Sequence, residues 1–439
     1  MKTNPTLSSQ FWRYLWAFIL VALSSCLGNV VDGIIVGNLI CADGVSAINL
    51  SKPLIQLMFT LSLLLAAGAG MLVAYAIGQK DIRHARQIFT VSMAGSIVCG
   101  LVFTAMGQLC PETVTRILCD DPALFDMTND YTRIVLLGSP VYMLSWGLAT
   151  MVGVDNSPRL VSLSVIIDNV VNLTLDIVFI QVLGWGIAGS SSATVIGHTV
   201  GILVLLRHFL YPTNNLKLTL PPMAGIVPGV RQIISQGAPL AIASICLTLL
   251  LYSSNYIVLS TVGVTGIFVF SVCMNLLQVY NLFLSGTVET LQSLGAVQVG
   301  EKNTAGFRLV LRKSFVFITA AMVITCLYVW LFPETIAALF GATDSQVISE
   351  CNHALRIFAL SFIPFCYIYT LMIVYKLYGC HRMALFLSFA LSLTVIPVLW
   401  IIAHTAPTLI WYSYLTAYII EAIVIFALHK ILHIELKID

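Results

Sequence analysis

Long apolar runs, each broken by a few polar or turn-forming residues, follow one another along the whole chain. A helix needs about 20 apolar residues to cross a bilayer. The runs and breaks predict twelve such spans, at 11–38, 53–77, 87–109, 131–153, 160–183, 187–210, 232–261, 264–298, 309–332, 354–377, 383–403 and 408–430. The breaks carry turn chemistry and charge, as in Gly78-Gln79-Lys80-Asp81, Asn156-Ser157-Pro158-Arg159 and Tyr211-Pro212-Thr213-Asn214-Asn215. None of these connections is long enough to hold a soluble domain. A transmembrane barrel would instead alternate apolar and polar residues over short segments. The first run, from Phe11 to about Leu39, outruns the apolar core of a cleavable signal and ends in no small-residue cleavage site, so it is expected to stay and span.

Composition agrees. Of 439 residues, 9% are charged and 59% hydrophobic, and the mean hydropathy is +0.97. Soluble chains carry roughly 25% charged residues, so a soluble enzyme, a disordered protein and a nucleic-acid binder are excluded. A net charge of +2 creates no basic field. The 11 cysteines form no CxxC or Cys/His cluster and read as small buried hydrophobes. Charge placement then orients the chain. With both termini inside, 17 of the 21 Lys and Arg fall on the inner side and only Lys52, Arg116, Arg133 and Arg356 outside. Cytoplasmic loops are the ones enriched in Lys and Arg. Both termini are therefore expected in the cytoplasm, in a plasma (inner) membrane.

The chain is also a duplication. Pro111-Glu112-Thr113 recurs as Pro333-Glu334-Thr335, and Gly78-Gln79-Lys80 as Gly300-Glu301-Lys302, both at an offset of 222 in the numbering. Arg133-Ile134 pairs with Arg356-Ile357 and Arg159 with Arg382, both at an offset of 223. Each half holds six spans, an even number, so both insert the same way up. The predicted fold is an all-α integral membrane protein of twelve transmembrane helices in two parallel six-helix repeats. An N-lobe covers 1–215 and a C-lobe 216–439, as in several secondary-transporter architectures.

Five carboxylates lie deep in spans: Asp32, Asp168, Asp176, Glu289 and Glu421. Each costs on the order of 2.5–3.5 kcal/mol at a helix centre. In span 5, Asp168, Asn172 and Asp176 are four residues apart and share one helix face, with Ser164 leading the stripe and Asn169 beside it. Such a stripe faces a polar interior or a water-filled cavity. Adding 223 turns Asp168, Asn172 and Asp176 into Leu391, Val395 and Leu399, Thr194 into Ala417 and Asp32 into Asn255. The second half keeps the scaffold and drops these charges, which places the functional site in the first half, among spans 1, 5 and 6. Glu289, His198 and Tyr142 join Asp168 as candidates to line a cavity. Glu421 is expected to be paired or to reach toward the inner surface. No P-loop Gly-Lys and no HExxH occurs, so the chain is read as no enzyme, with no bound cofactor or nucleotide.

These residues resemble the multidrug and toxic compound extrusion (MATE) family over essentially the whole chain. The most specific stretches are GNVVDGIIVG (28–37), VGVDNSPRLVSLSVIIDNVVNLTLDIVFI (152–180) and GWGIAGSSSATVIG (184–197). The resemblance implies that Asp32 occupies the place of the aspartate that binds the coupling proton or sodium. It further implies that Asn172, Asp176 and Thr194 complete that cluster, a candidate Na+ site. Where sodium-binding relatives carry second-half carboxylates, this chain reads APLAIASICLTLLL and SFIPFCYIYTL. The expected function is efflux of amphipathic organic cations by antiport with protons or sodium, by a monomer whose partners are a small cationic substrate and membrane lipid, without nucleic acid. Two alternatives stand: a flippase of a lipid-linked precursor from the same superfamily, and a non-transporting or enzymatic membrane protein. Intramembrane Lys and Arg, which would hold a pyrophosphate, are nearly absent.

Overall fold

The computed structural model describes residues 7–155, 157–210, 214–219 and 223–431. Both chain ends, Asn156 and the 211–213 part of the third break lie outside the described residues, as do the termini whose side of the membrane the charge tally assigns.

In chain order the helices are α1 (Leu7–Leu39), α2 (Ala42–Gly78), α3 (Ile82–Leu109), α4 (Pro111–Leu118), α5 (Pro122–Leu137), α6 (Ser139–Val154), α7 (Pro158–Ile177) and α8 (Gly186–Leu206), then α9 (Met223–Val262), α10 (Val264–Gly300), α11 (Thr304–Leu331), α12 (Pro333–Leu339), α13 (Ser345–Leu377), α14 (His381–Leu393), α15 (Val395–Thr405) and α16 (Ser413–Ile431). Among the described residues, ten segments are long and apolar enough to cross a membrane, or eleven with α5 and α6 taken as one span. The first predicted span lies on the 33-residue α1.

Several helices start earlier than the apolar runs. α2 begins at Ala42 and carries Pro53 inside it, and α13 begins at Ser345. Polar first turns that a hydropathy reading assigns to loops are wound as helix, capped in α13 by the Asp344 side chain on the Gln346 N–H. The fourth span is bent by 54° between α5 and α6. Pro140 has no N–H to return to the Leu136 carbonyl. The Ser139 hydroxyl serves that carbonyl instead, at 2.7 Å.

The duplication is written in the backbone. Lys80 and Lys302, equivalent positions of the two repeats, both take left-handed φ, at 63° and 54°. Asp81 caps α3 on the His84 N–H, and Asn303 caps α11 on the Gly306 N–H. Prolines at the same repeat position open the short helices α4 and α12. Like sequence at a fixed offset gives like turns, because caps and φ are set locally.

By packing, the chain forms two compact units, one of residues 35–252, the other of 1–34 with 253–439. These are not the two sequence halves. In the first unit, α2 and α9 cross at Gly68 and Gly237, where a methyl group on either would run into the other helix's backbone. The Ser244 hydroxyl there meets Gln56 Nε2 at 3.1 Å and the Thr60 hydroxyl at 2.6 Å. In the second unit, α1 runs beside α10 and α11. Ile19 lies against Gly286, and Lys313 Nζ donates to the Ser8 hydroxyl at 2.8 Å.

Candidate functional site

The polar cluster of the 35–252 unit is built on α7 and α8, which lie side by side. Pro158 opens α7, and a π-helical turn over Val178–Val182 closes it. The chain then reverses through Gly184 and Gly186, with φ of 66° and 56°. Glycine takes this left-handed conformation without steric cost, and that pair brings α8 back along α7.

Two polar pairs join the helices. Asn172 Nδ2 donates to the Thr194 hydroxyl at 3.2 Å, and that hydroxyl donates to the Ser190 carbonyl at 3.1 Å. One turn away along both helices, His198 Nδ1 stands 2.6 Å from Oδ2 of Asp168. The glycines of α8 permit this closeness. A Cβ on Gly197 would lie 2.6 Å from the other Asp168 oxygen, and one on Gly201 3.4 Å from the Asp168 Cβ. Asp176 and Asn172 are buried, at 0% and 8% exposure, and Ser164 closes the stripe at 3%. The Asp168 and His198 side chains keep 16% and 17%. The predicted stripe is therefore one continuous polar seam facing α8.

Aromatic rings from α6 cover its His198 end. The Tyr142 ring lies 4.6 Å from the imidazole and Trp146 6.1 Å, with Phe59 of α2 5.1 Å beyond Trp146. Carboxylate, imidazole and aromatic faces together suit a cation, which an aromatic face attracts within about 6 Å. Tyr142 is 2% exposed, so it packs the pair from behind. The second-repeat counterparts Leu391, Val395, Leu399 and Ala417 are all buried in apolar packing, and the asymmetry extends to the structure.

The remaining sequence candidates lie in the other unit. Asp32 is partly buried on α1; its neighbour Gly33 stands against Phe340 and Asn275. Glu289 of α10 is exposed, near Tyr369 of α13. Glu421 corrects its expectation. It is 3% exposed and neither carboxylate oxygen has a hydrogen-bond partner, so it is neither paired nor extended toward a surface.

A second buried network has no sequence signal. Asp155, at the end of α6, takes the Nε2 of His208 at 2.8 Å, the Asn215 side chain and backbone N–H at 2.9 Å each, and the Leu216 N–H at 3.2 Å. Arg86 Nε holds the Asn215 carbonyl at 2.7 Å. Burial works to raise the Asp155 carboxyl, but the bonds from His208, Asn215 and Leu216 outweigh it and leave it below its ordinary value. This network fastens the 214–219 connection to the end of α6. Its members are far apart in sequence, and no spacing rule links them.

Apolar spans in two repeats, with a polar helix-to-helix seam in the first, define a multi-pass membrane protein. A family model described as MatE matches residues 17–178 and 239–401. Those two stretches are related by the same offset as the sequence repeats. The chain belongs to this MATE family. It is 21% identical over 403 residues to a "Multidrug export protein MepA" of Staphylococcus haemolyticus, covering 90% of this chain and 87% of that one. To the MepA of Staphylococcus aureus (strain MRSA252) it is 22% identical over 408 residues, with the same coverage. In fold it is similar to a structure described as "Inward-facing conformation of a multidrug resistance MATE family transporter of the MOP superfamily". There the TM-score is 0.82 at 18% identity, with 94% of this chain and 97% of that one covered. The outward-facing counterpart gives 0.72 at 17% identity, covering 97% and 95%.

Proposed function

We propose that this protein exports amphipathic organic cations by antiport, with ion coupling in the first repeat. The observation that carries the reading is the α7–α8 seam, where two polar pairs and the buried Asp176 stand at five positions, of which the second repeat fills four with Leu391, Val395, Leu399 and Ala417 and keeps an ionisable group only opposite His198, as Glu421. A structural network needed to hold six helices together would recur in the other six. The names of the MepA relatives support export of several drugs. The aromatic rings beside Asp168 and His198 support a cationic substrate.

In this reading Asp176, Asn172 and Thr194 exchange the coupling ion, and Asp32 on α1 is the other carboxylate implicated. Antiport requires ion and substrate to favour opposite conformations, since a ligand shifts an equilibrium only by its differential affinity. The Asp168–His198 pair supports the proton as coupling ion, because an imidazole takes up protons and not sodium.

The test is efflux of a fluorescent organic cation from proteoliposomes, with a pH gradient and a sodium gradient imposed separately. Efflux driven by the pH gradient alone is expected. Equal efflux with no gradient at all would refute antiport. The orientation belongs to the same proposal: both termini and the 78–86 and 300–313 loops face the cytoplasm, with 111–130 and 333–353 outside. Arg83 is exposed in the first turn of α3, so Arg83→Cys on a Cys-less background is expected to resist impermeant thiol reagents in intact cells, and labelling there would reverse the topology.

A further inference from the structure

Glu421 of α16 and His198 of α8 occupy the same place in the two repeats, related by the 223 offset. In the first repeat the imidazole has its partner, Asp168, at 2.6 Å. In the second, the partner's position is Leu391, buried at 6%, and Glu421 stands at 3% exposure with neither oxygen hydrogen-bonded. Among the described residues no Lys, Arg or His forms an ion pair with it. Thr394 is the one polar side chain that acts on it.

The surroundings bear on what the side chain binds. α16 packs on α13, α14, α15 and the turn at 407–412, and no charged group of these elements acts on Glu421. The ionisable groups in its vicinity are Tyr418 on its own helix and, near that tyrosine, Tyr414 of the same helix and Cys366 of α13. Among the described residues no three His, Cys, Asp or Glu gather as metal ligands, and one carboxylate with one hydroxyl is a thin donor set for a metal cation. An unpaired carboxylate in such packing is far costlier than the neutral acid. The position is also adjacent to a break. α14 ends at Leu393 and α15 begins at Val395. Pro397 has no N–H to return to the Leu393 carbonyl, and the Val398 N–H reaches Thr394 only at 3.5 Å.

We propose that Glu421 is a proton-binding site of the second repeat, protonated in this structure and released to water when the α14–α15 span opens at Thr394. The step is a single ionisation: the carboxylic O–H breaks, the proton passes to the entering water, and the electron pair stays on the carboxylate. The site is separate from the first-repeat seam, and an intramembrane carboxyl group of this kind is a functional candidate by default.

The experiment uses the full-length transporter in nanodiscs, wild type beside Glu421→Gln. Infrared spectra at neutral pH are expected to show a buried protonated-carboxyl band that the variant loses. Identical carboxyl spectra from neutral pH upward would mean that Glu421 is ionised and would overturn the proposal. If Glu421→Gln fails to fold, Glu421→Asp replaces it, with the band shifted, and an unshifted band overturns the assignment. Amide exchange over 391–398, normalised to the variant, is expected to quicken with rising pH in wild type; a flat ratio refutes the link to the break. Neither readout involves efflux, so failure here and failure of the first-repeat antiport reading are distinguishable.

Discussion

His198 Nδ1 and Asp168 Oδ2 stand 2.6 Å apart across α8 and α7, one turn from the Asn172–Thr194 bond. A charge-assisted hydrogen bond in a partly buried pair contributes about 1.5–3 kcal/mol. His198→Gln is expected to lower pH-driven efflux about ten- to a hundredfold, an effect of that size, and to weaken its dependence on the imposed pH gradient. Wild-type steepness retained in His198→Gln would take the pair out of the coupling.

The seam predicts unequal cost between repeats. Asp176→Asn keeps shape and removes the charge; efflux is expected to fall below detection at normal membrane expression. Its counterpart Leu399 is 1% exposed, so Leu399→Ala would confound function with a loss of about 2–5 kcal/mol of packing. Leu399→Met, closer in volume, is the proper control and is expected to transport. Equal activity of Asp176→Asn and Leu399→Met would refute a first-repeat site.

Close helix crossings predict a folding defect with a clear control. A side chain at Gly68 or Gly237 meets opposing backbone, whereas Gly229 on the same α9 has open space. Gly237→Ala is expected to cost about 1–3 kcal/mol or more, seen as a lower melting temperature in detergent. Gly229→Ala is expected to gain a little, as alanine does in a helix. The reverse order would contradict the crossing.

The Asp155 network predicts a pH-dependent stability term. The folded carboxyl is held below its ordinary value, so the contribution is complete above the unfolded carboxylate pKa, about 3.9, and is lost as pH falls through the folded one. Asp155→Asn is expected to cost about 3 kcal/mol at neutral pH, as when one member of a buried pair is removed. The stability gap to wild type should close below about pH 4. A gap that stays constant from neutral pH down into that acid range would assign the cost to shape and not to charge.

By itself the sequence determined the twelve spans, the duplication and the asymmetry of charge between the repeats. Each depends on near-neighbour chemistry: a run of apolar residues, a cap, a proline at N1, a four-residue spacing on one face. The same locality explains why Lys80 and Lys302 share a left-handed φ. The three-residue stripe of α7 was legible because helical periodicity fixes which side chains share a face. Only the tertiary structure decided what each polar residue meets. His198 gains Asp168 and Asp155 gains His208 because glycines and turns bring distant helices within hydrogen-bond reach. Glu421 gains no such bond because its repeat places Leu391 where the first repeat has Asp168. The repeat offset made that equivalence readable in advance, but burial and the missing bond could not be read. Units of 35–252 and of 1–34 with 253–439 likewise follow from long-range packing. Helix crossings such as Gly68 on Gly237 join residues far apart in the chain, and no local pattern records them.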